Sequence, residues 1–135
     1  MIKSAEIRNS FRTRIAQSGA IPIADIEWLN LRFNPANKSL WAKESYLPAV
    51  EGADTSRRDM LAGIIQITVN VPVNTSDVLV ASTGELIGDL WETQEEVDTD
   101  NYRITIDRTK CSFLGKLDDI WYSYILDIEF RAFEK

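Results

Sequence analysis

The sequence predicts an α+β fold, a single layer of mixed, mostly antiparallel β-sheet with about five strands packed with two helices in the order αβββαββ. Apolar residues recur at four-residue spacing in two segments, which indicates helices, and at two-residue spacing in several others, which indicates strands. Because the two kinds of segment do not alternate regularly, a parallel nucleotide-binding sheet is disfavoured. No repeat, linker or low-complexity tract interrupts residues 1–135, so we expect one domain.

The first helix is predicted over residues 2–18. Ile7, Phe11 and Ile15 form one apolar stripe there, as expected of a helix that packs on a core. Gly19 follows the stripe, and glycine readily adopts the left-handed backbone conformation that closes a helix. We therefore expect the helix to end immediately before this glycine.

Several segments rich in β-branched and aromatic residues are predicted to be extended, each bounded by turn residues. They are residues 23–33, 40–47, 63–71, 102–107 and 120–130. The third and the last alternate most strictly, so each of these strands should bury one face. Residues 48–59 lack periodicity and are predicted to form a polar loop, longer than the usual connection of about four to six residues. Residues 110–117 are predicted to be a second connection.

The second helix is predicted over residues 76–91, because residues 74–77 offer N-cap candidates. Its buried stripe is predicted from large apolar residues, namely Leu79, Leu86, Ile87, Leu90 and Trp91. Gly84 and Gly88 each weaken a helix by about 1 kcal/mol relative to alanine. At four-residue spacing they leave a flat side, so we interpret them as the place where a sheet or a neighbouring element approaches closely.

The composition excludes several classes of catalytic site. The chain has no histidine and one cysteine, which removes Ser-His-Asp and Cys-His catalysis and most zinc sites. Cys111 is interpreted as a small packed hydrophobe rather than a reactive thiol. Trp28, Trp91 and Trp121 are assigned to the core, whereas Trp41 is expected to be partly exposed.

The charge excludes a domain that grips nucleic acid. The chain has 15 Lys and Arg residues against 21 Asp and Glu residues, a net charge of -6, whereas phosphate binding needs a basic surface. No N-terminal signal-like segment and no apolar stretch of about eighteen residues occurs, so we expect a cytosol-like compartment and no membrane.

An acidic run is the first candidate site, consisting of Glu92, Glu95, Glu96, Asp98 and Asp100. Clustered oxygens can bind a divalent cation. The run lacks the spacing of a regular calcium loop, so we interpret it as a solvated charged loop. Asp118 and Asp119 have no spaced carboxylate partner, and no glycine-rich phosphate motif occurs, so neither predicts a catalytic site.

The polar loop is the second candidate site. It carries Glu51, Asp54, Arg57, Arg58 and Asp59, in which guanidinium groups can meet carboxylates across an interface. We predict a polar contact surface for a partner protein there, and a mobile solvent loop is the alternative. The edges of the sheet can also join subunits by adding strands.

Landmarks along nearly the whole chain occur in a distinctive order. They are an amphipathic N-terminal helix, Ile26-Glu-Trp-Leu-Asn leading to Phe33-Asn-Pro, Tyr46-Leu-Pro, Gly63-Ile-Ile-Gln-Ile-Thr-Val-Asn-Val-Pro, a helix, and a final strand from Trp121 to Phe133. The strand that begins at Gly63 and leads directly into a helix is the most specific of them. In this order the landmarks resemble the phage tail terminator-like family, which is related to the lambda-type minor tail protein U.

The resemblance implies a structural virion protein that is not an enzyme and has no cofactor. Proteins of this family form rings, usually hexameric, that cap the tail tube of a siphophage, stop its growth and offer a surface for head joining. The implied partners are further copies of the chain, the major tail tube protein and a head-completion or connector protein. The implied location is the head-proximal end of a tail assembled in the bacterial host cytoplasm.

An acidic ring would let DNA pass without specific binding, because carboxylates repel phosphates. The acidic run Glu92–Asp100 is the candidate for a segment that faces such a lumen. Three other functions stay open at this point: another phage neck or tail-tube subunit, a cytosolic enzyme that uses carboxylates or Mg²⁺, and a small-ligand-binding module.

Overall fold

The computed structural model describes residues 3–53, 59–116 and 118–135. Its helices are α1 (Ser4–Ser18) and α2 (Asp77–Gly88), and its strands are β1 (Ile26–Glu27), β2 (Trp41–Ala53), β3 (Asp59–Pro72), β4 (Glu96–Asp98), β5 (Tyr102–Lys116) and β6 (Trp121–Glu134). The strands form one six-stranded sheet in the order β1-β2-β3-β6-β5-β4. Only β1 pairs in parallel with its neighbour, β2. The predicted α+β class, with its mixed and mostly antiparallel sheet, is confirmed.

Both helices lie on one face of the sheet. Phe11 of α1 packs against Phe130 of β6, with ring centroids 5.0 Å apart, and α2 lies directly over Tyr124 of the same strand. Since Tyr124 and Phe130 are an even number of residues apart, they point to the same face. That face holds the core, in which Ile65, Ile67, Val69, Ile104, Ile106, Leu126 and Ile128 are buried. The strict alternation predicted for β3 and β6 is therefore confirmed.

The opposite face of the sheet carries neither described helix, and its middle part is rich in polar side chains. Gln66 donates to Asp127 at 2.9 Å, and Arg131 donates to Asp107 at 2.9 Å. Arg108 forms an ion pair with Glu129 across the β5–β6 ladder. These side chains are half-buried or exposed, so cross-strand polar pairs hold the middle of this face. Its end near β1 is covered by an aromatic cluster that includes Trp41 and Trp121.

The strand count and strand bounds differ from the prediction. The additional strand, β4, lies within the acidic run and has a single apolar residue, Val97, so periodicity could not reveal it. In the predicted strand 23–33, only Ile26–Glu27 is a strand, because a 3₁₀ turn precedes it and Asn30 adopts a φ of 65° after it. The predicted connection 110–117 is strand as far as Lys116, and the register shifts near Ile106 and Phe113 explain the lost alternation.

Helix α2 packs on the sheet through its small residues. A Cβ atom on Gly84 would lie 2.6 Å from Cδ1 of Tyr124, so the predicted close approach at the glycines is confirmed. Ser76 is the N-cap, and its hydroxyl accepts from the backbone N–H of Val78 at 3.2 Å. The predicted stripe is wrong at Leu79 and Leu86, which are 40% and 58% exposed. Gly84 and Gly88 face the sheet, so Leu79 and Leu86 lie on other sides of the helix, away from the core.

The tryptophans also depart from expectation at two positions. Trp91 is buried and Trp28 packs against the core, as predicted. The assignment of Trp121 to the core is wrong, because this half-buried residue lies on the face of the sheet opposite the core. Trp41, expected to be partly exposed, is only 6% exposed. Its ring lies 5.3 Å from Phe33 and 5.5 Å from Trp121, and these contacts between distant segments exclude water from it.

Cys111 is half-buried and packs against the core cluster, in agreement with its assignment as a packed hydrophobe. Burial raises the pKa of its thiol. Within the described part of the chain, neither helix has the length and apolar character needed to cross a bilayer.

Replacing Gly19 with alanine is expected to destabilise the protein by about 1 kcal/mol. Gly19 closes α1 with a φ of 69°, as predicted, and a Cβ there would meet no atom within 4 Å. The loss would therefore come from the backbone conformation alone. Urea unfolding followed by tryptophan fluorescence measures it, with Gly19→Asn as the control that should lose less, since asparagine tolerates this conformation. Equal stability of Gly19→Ala and the wild type would contradict the assignment.

Candidate subunit and tail interfaces

The β2–β3 hairpin carries the residues predicted for a tail or subunit interface: Glu51, Asp54, Arg57, Arg58 and Asp59. Asp54, Arg57 and Arg58 lie outside the described residues. The predicted loop 48–59 is wrong in its bounds, because β2 continues to Ala53, which pairs with Asp59. The register shift after Pro48 accommodates a residue without an N–H group, and the ladder then resumes from Val50 to Ala53, where the sequence shows no alternation of apolar and polar residues.

The acidic run contains no lysine or arginine, but arginine side chains from two other elements form ion pairs with it. Arg14 of α1 donates to Glu95 at 2.9 Å, and Arg103 of β5 donates to Asp98 at 3.1 Å. The bond from Arg103 holds the pKa of Asp98 below its usual value. The pKa of Glu95 is also lowered, since its bonds to the Glu92 backbone and to Arg14 outweigh the opposing effect of burial.

The remaining residues of the run are exposed. Glu96 lies 3.8 Å from Arg103, whereas Glu92 and Asp100 form no ion pair among the described residues. Among those residues, no group of three or more histidine, cysteine, aspartate or glutamate side chains is arranged to hold a metal ion. The run is thus a partly neutralised surface segment, and its most accessible charges are at its two ends.

A buried ion pair that the sequence did not reveal joins α1 to β2. Glu44 is only 1% exposed. Arg12 donates to it from Nε at 2.8 Å and from Nη2 at 2.5 Å, and this bonding raises the pKa of Arg12. The backbone N–H of Leu29 donates to the same carboxylate at 3.3 Å. Glu44 therefore ties helix α1 and the segment after β1 to the sheet.

Three arginines of α1 lie over aromatic rings. The guanidinium carbon of Arg8 is 5.2 Å from the ring centre of Tyr46. The corresponding distances are 5.7 Å for Arg12 over Trp28 and 5.5 Å for Arg14 over Trp91. The polar side of the helix is thereby held by cation–π contacts as well as ion pairs. In the sequence these arginines lie off the apolar stripe of α1. No local pattern in the sequence identifies Glu44 as the partner of Arg12.

Both edges of the sheet carry strand segments without a partner. Strand β1 pairs with β2 only at Ala42 and Lys43, and β4 pairs with β5 only from Arg103 to Thr105. Beyond these points, the outer edge of β2 meets no strand within the described ranges. The same holds for β5 after Ile106, whose own N–H and C=O pair with Glu95 and Gln94. The unpaired N–H and C=O groups of both edges can accept a strand of another chain.

Comparison with known proteins identifies a solved structure with a similar fold but no protein of known function. No protein-family model matches the sequence, and no curated protein matches it. One solved structure, which carries no functional name, is similar over 100% of this chain and 97% of its own, with a TM-score of 0.69 and 13% sequence identity. At that identity the similarity shows that the two proteins share a fold.

Proposed function

We propose that this chain is a structural virion protein that caps the tail tube of a siphophage as a ring, ends tube polymerisation and provides the head-joining surface. The observation that carries the proposal is the pair of free sheet edges. A protein with different binding edges on its two sides joins its copies head to tail, and such a contact produces a closed ring when the rotation between copies closes.

The arrangement of the landmark segments also supports the proposal. The Tyr46-Leu-Pro segment, the strand that begins at Gly63 and the final strand from Trp121 fall on three adjacent strands of the sheet, β2, β3 and β6. Helix α2 follows β3 after a short connection. The segments that carry the family resemblance thus form the centre of one sheet, as parts of a common architecture would.

The proposed partners are further copies of the chain in a hexameric ring, the major tail tube protein and a head-completion or connector protein. DNA would pass through the ring without specific binding, since the chain has a net charge of -6 and like charges repel. In this arrangement the acidic run, with Glu92, Glu95, Glu96, Asp98 and Asp100, faces the lumen. A ring structure that places them on its outer rim would rule out that part of the proposal.

The second candidate function is another neck or tail-tube subunit, which the same free edges favour because unlimited stacking also uses head-to-tail contacts. Polymerisation of the major tail tube protein with added chain separates the two. We expect tubes to stop growing and to carry the labelled chain at one end in electron micrographs. Labelling along the whole tube, or filaments of the chain alone that grow without limit, would overturn the proposal.

Reversing the charges of Arg57 and Arg58 to glutamate is expected to weaken tube capping at least about tenfold, since arginine pairs commonly anchor polar interfaces. The measurement is the chain concentration that halves mean tube length. The matched control reverses two exposed lysines outside the hairpin and outside the free edges, Lys3→Glu with Lys135→Glu, and should cap normally. Equal capping by both double variants would show that the hairpin does not contact the tube.

A further inference from the structure

We infer that copies of this chain join through two different grooves, an acidic groove on one edge of the sheet and a basic groove on the other. The inference deepens the proposed function, and it rests on that function for the closure of the joined copies into a ring. It identifies the partner of each groove as a second copy of this chain. Three observations carry it: exposed apolar residues, unpaired charges of opposite sign, and the common level of the two grooves.

The acidic groove lies between α2 and β5. It has a volume of about 220 Å³, and Val78 and Phe113 line it together with Asp77 and Glu85. Val78 is 68% exposed and Phe113 is 53% exposed. Neither Asp77 nor Glu85 forms an ion pair with any described residue. The groove therefore presents two uncovered apolar side chains beside two free carboxylates.

The basic groove lies at the β1–β2 edge. It has a volume of about 400 Å³, and Leu29, Leu31, Arg32 and Lys43 line it. Leu29 is 40% exposed and Leu31 is 60% exposed. Arg32 and Lys43 are exposed and form no ion pair within the part of the chain that the structure describes.

Two carboxylates also line the basic groove, and they do not cancel its charge. Glu44 is occupied by Arg12 from the core side. Glu27 is half-buried in β1, so Arg32 and Lys43 leave the groove an excess of one positive charge over it. The two grooves thus share apolar linings and differ in the sign of their free charge.

The two grooves lie at one level of the sheet. Ala42 of β2 is opposite Val69 of β3, Val69 is opposite Tyr124 of β6, and Tyr124 is opposite Phe113 of β5. This row crosses the sheet from the basic groove beside Lys43 to the acidic groove at Phe113. A second copy displaced sideways along the row brings its basic groove to the acidic groove of the first.

Head-to-tail contact follows from this geometry. Burial of the exposed valine, phenylalanine and leucines supplies the attraction, and the facing charges select the partner groove and its register. Two acidic grooves would repel each other, so a two-fold dimer through one groove is disfavoured. Each copy keeps one free groove after pairing, as a ring requires.

Charge-swap variants of the full chain test the inference. The acidic groove is reversed by Asp77→Lys with Glu85→Lys, and the basic groove by Arg32→Glu with Lys43→Glu. Each double variant alone faces like charges at every contact and is expected to self-associate about 100-fold more weakly than the wild type. An equimolar mixture of the two double variants pairs opposite charges again and should recover assembly. Light scattering as a function of chain concentration measures this self-association, both for the free chain and in the presence of tail tubes.

The control variant Lys3→Glu with Asp119→Lys reverses exposed charges outside both grooves and outside the free edges, and it should assemble as the wild type does. Unfolding midpoints equal to that of the wild type establish that the swapped variants fold. Wild-type chain that stays monomeric in both settings, variants that assemble alone, or a mixture that fails to recover would each overturn the inference. Tube capping that persists in the swapped variants would overturn the inference and leave the proposed function standing. Groove-dependent assembly without any tube capping would support the inference and overturn the proposed function.

Discussion

Arg12→Met is expected to destabilise the protein by about 3 kcal/mol, because it leaves the buried carboxylate of Glu44 without its main partner. Glu44 is 1% exposed, and Nη2 of Arg8, the nearest other cation, lies 4.0 Å away. Methionine keeps much of the length and apolar stem of arginine, so the loss reports the charge and its hydrogen bonds. Denaturant unfolding followed by the fluorescence of the tryptophans measures it.

Arg14→Met is the matched control for this substitution. Arg14 belongs to the same helix and also lies over a tryptophan ring, but its partner Glu95 is 29% exposed. We expect a loss of about 1 kcal/mol or less there, as for other solvent-accessible pairs. The double variant Arg12→Met with Glu44→Leu should recover much of the stability, since an apolar pair removes the unpaired charge. Similar losses at Arg12 and Arg14 would show that burial does not distinguish the two pairs.

Gly84→Ala is expected to destabilise the protein by about 2 kcal/mol, although alanine favours an isolated helix by about 1 kcal/mol over glycine. The new Cβ would lie 2.6 Å from Cδ1 and 2.8 Å from Cε1 of Tyr124. That ring is buried and lies 4.7 Å from the ring of Phe113, so it cannot move without disturbing its neighbours. Either the ring or the whole helix must shift, and both lose packing.

Gly88→Ala provides the comparison on the same helix. Its Cβ would lie 3.2 Å from Cδ1 of Leu126, the end of a flexible side chain. We expect a change within about 0.5 kcal/mol, because the rotamer of Leu126 can adjust while the helix gains propensity. Thermal unfolding of both variants measures the difference. A stabilised Gly84→Ala protein would show that α2 does not approach β6 as closely as described.

The sequence predicted best those helices and strands whose apolar residues recur at a short, regular spacing. The stripe Ile7, Phe11 and Ile15 with Gly19 after it located α1 nearly to the residue, and the alternation of β3 and β6 identified the face that they bury. The pattern was lost at register shifts, where one extra residue moves the following side chains to the other face. The later part of β5 was missed because of these register shifts. Strand β4 was missed because it is short and polar and so has no apolar periodicity.

Even less of the candidate sites than of the fold could be predicted from local sequence patterns. The acidic run was visible as charge, but the cations that neutralise Glu95 and Asp98 come from α1 and β5. Leu79 and Leu86 of α2 were assigned to the core by their size, whereas the buried side of this helix consists of Val80, Thr83, Gly84, Ile87 and Gly88. Residue type alone could not decide which side of that helix faces the sheet.

The sequence by itself determined the fold class, the presence of two helices, the end of α1 at Gly19, the buried faces of β3 and β6, and the exclusion of histidine-based catalysis. These follow from composition and from periodicities that span a few residues. Helix α2 was predicted over residues 76–91 but ends at Gly88. Only the tertiary structure decided the burial of Glu44 under Arg12, the contact of Gly84 with Tyr124, and the common level of the acidic and basic grooves. Each of these joins residues far apart in the chain, and strand pairing and helix packing, which bring them together, leave no periodic trace in the sequence.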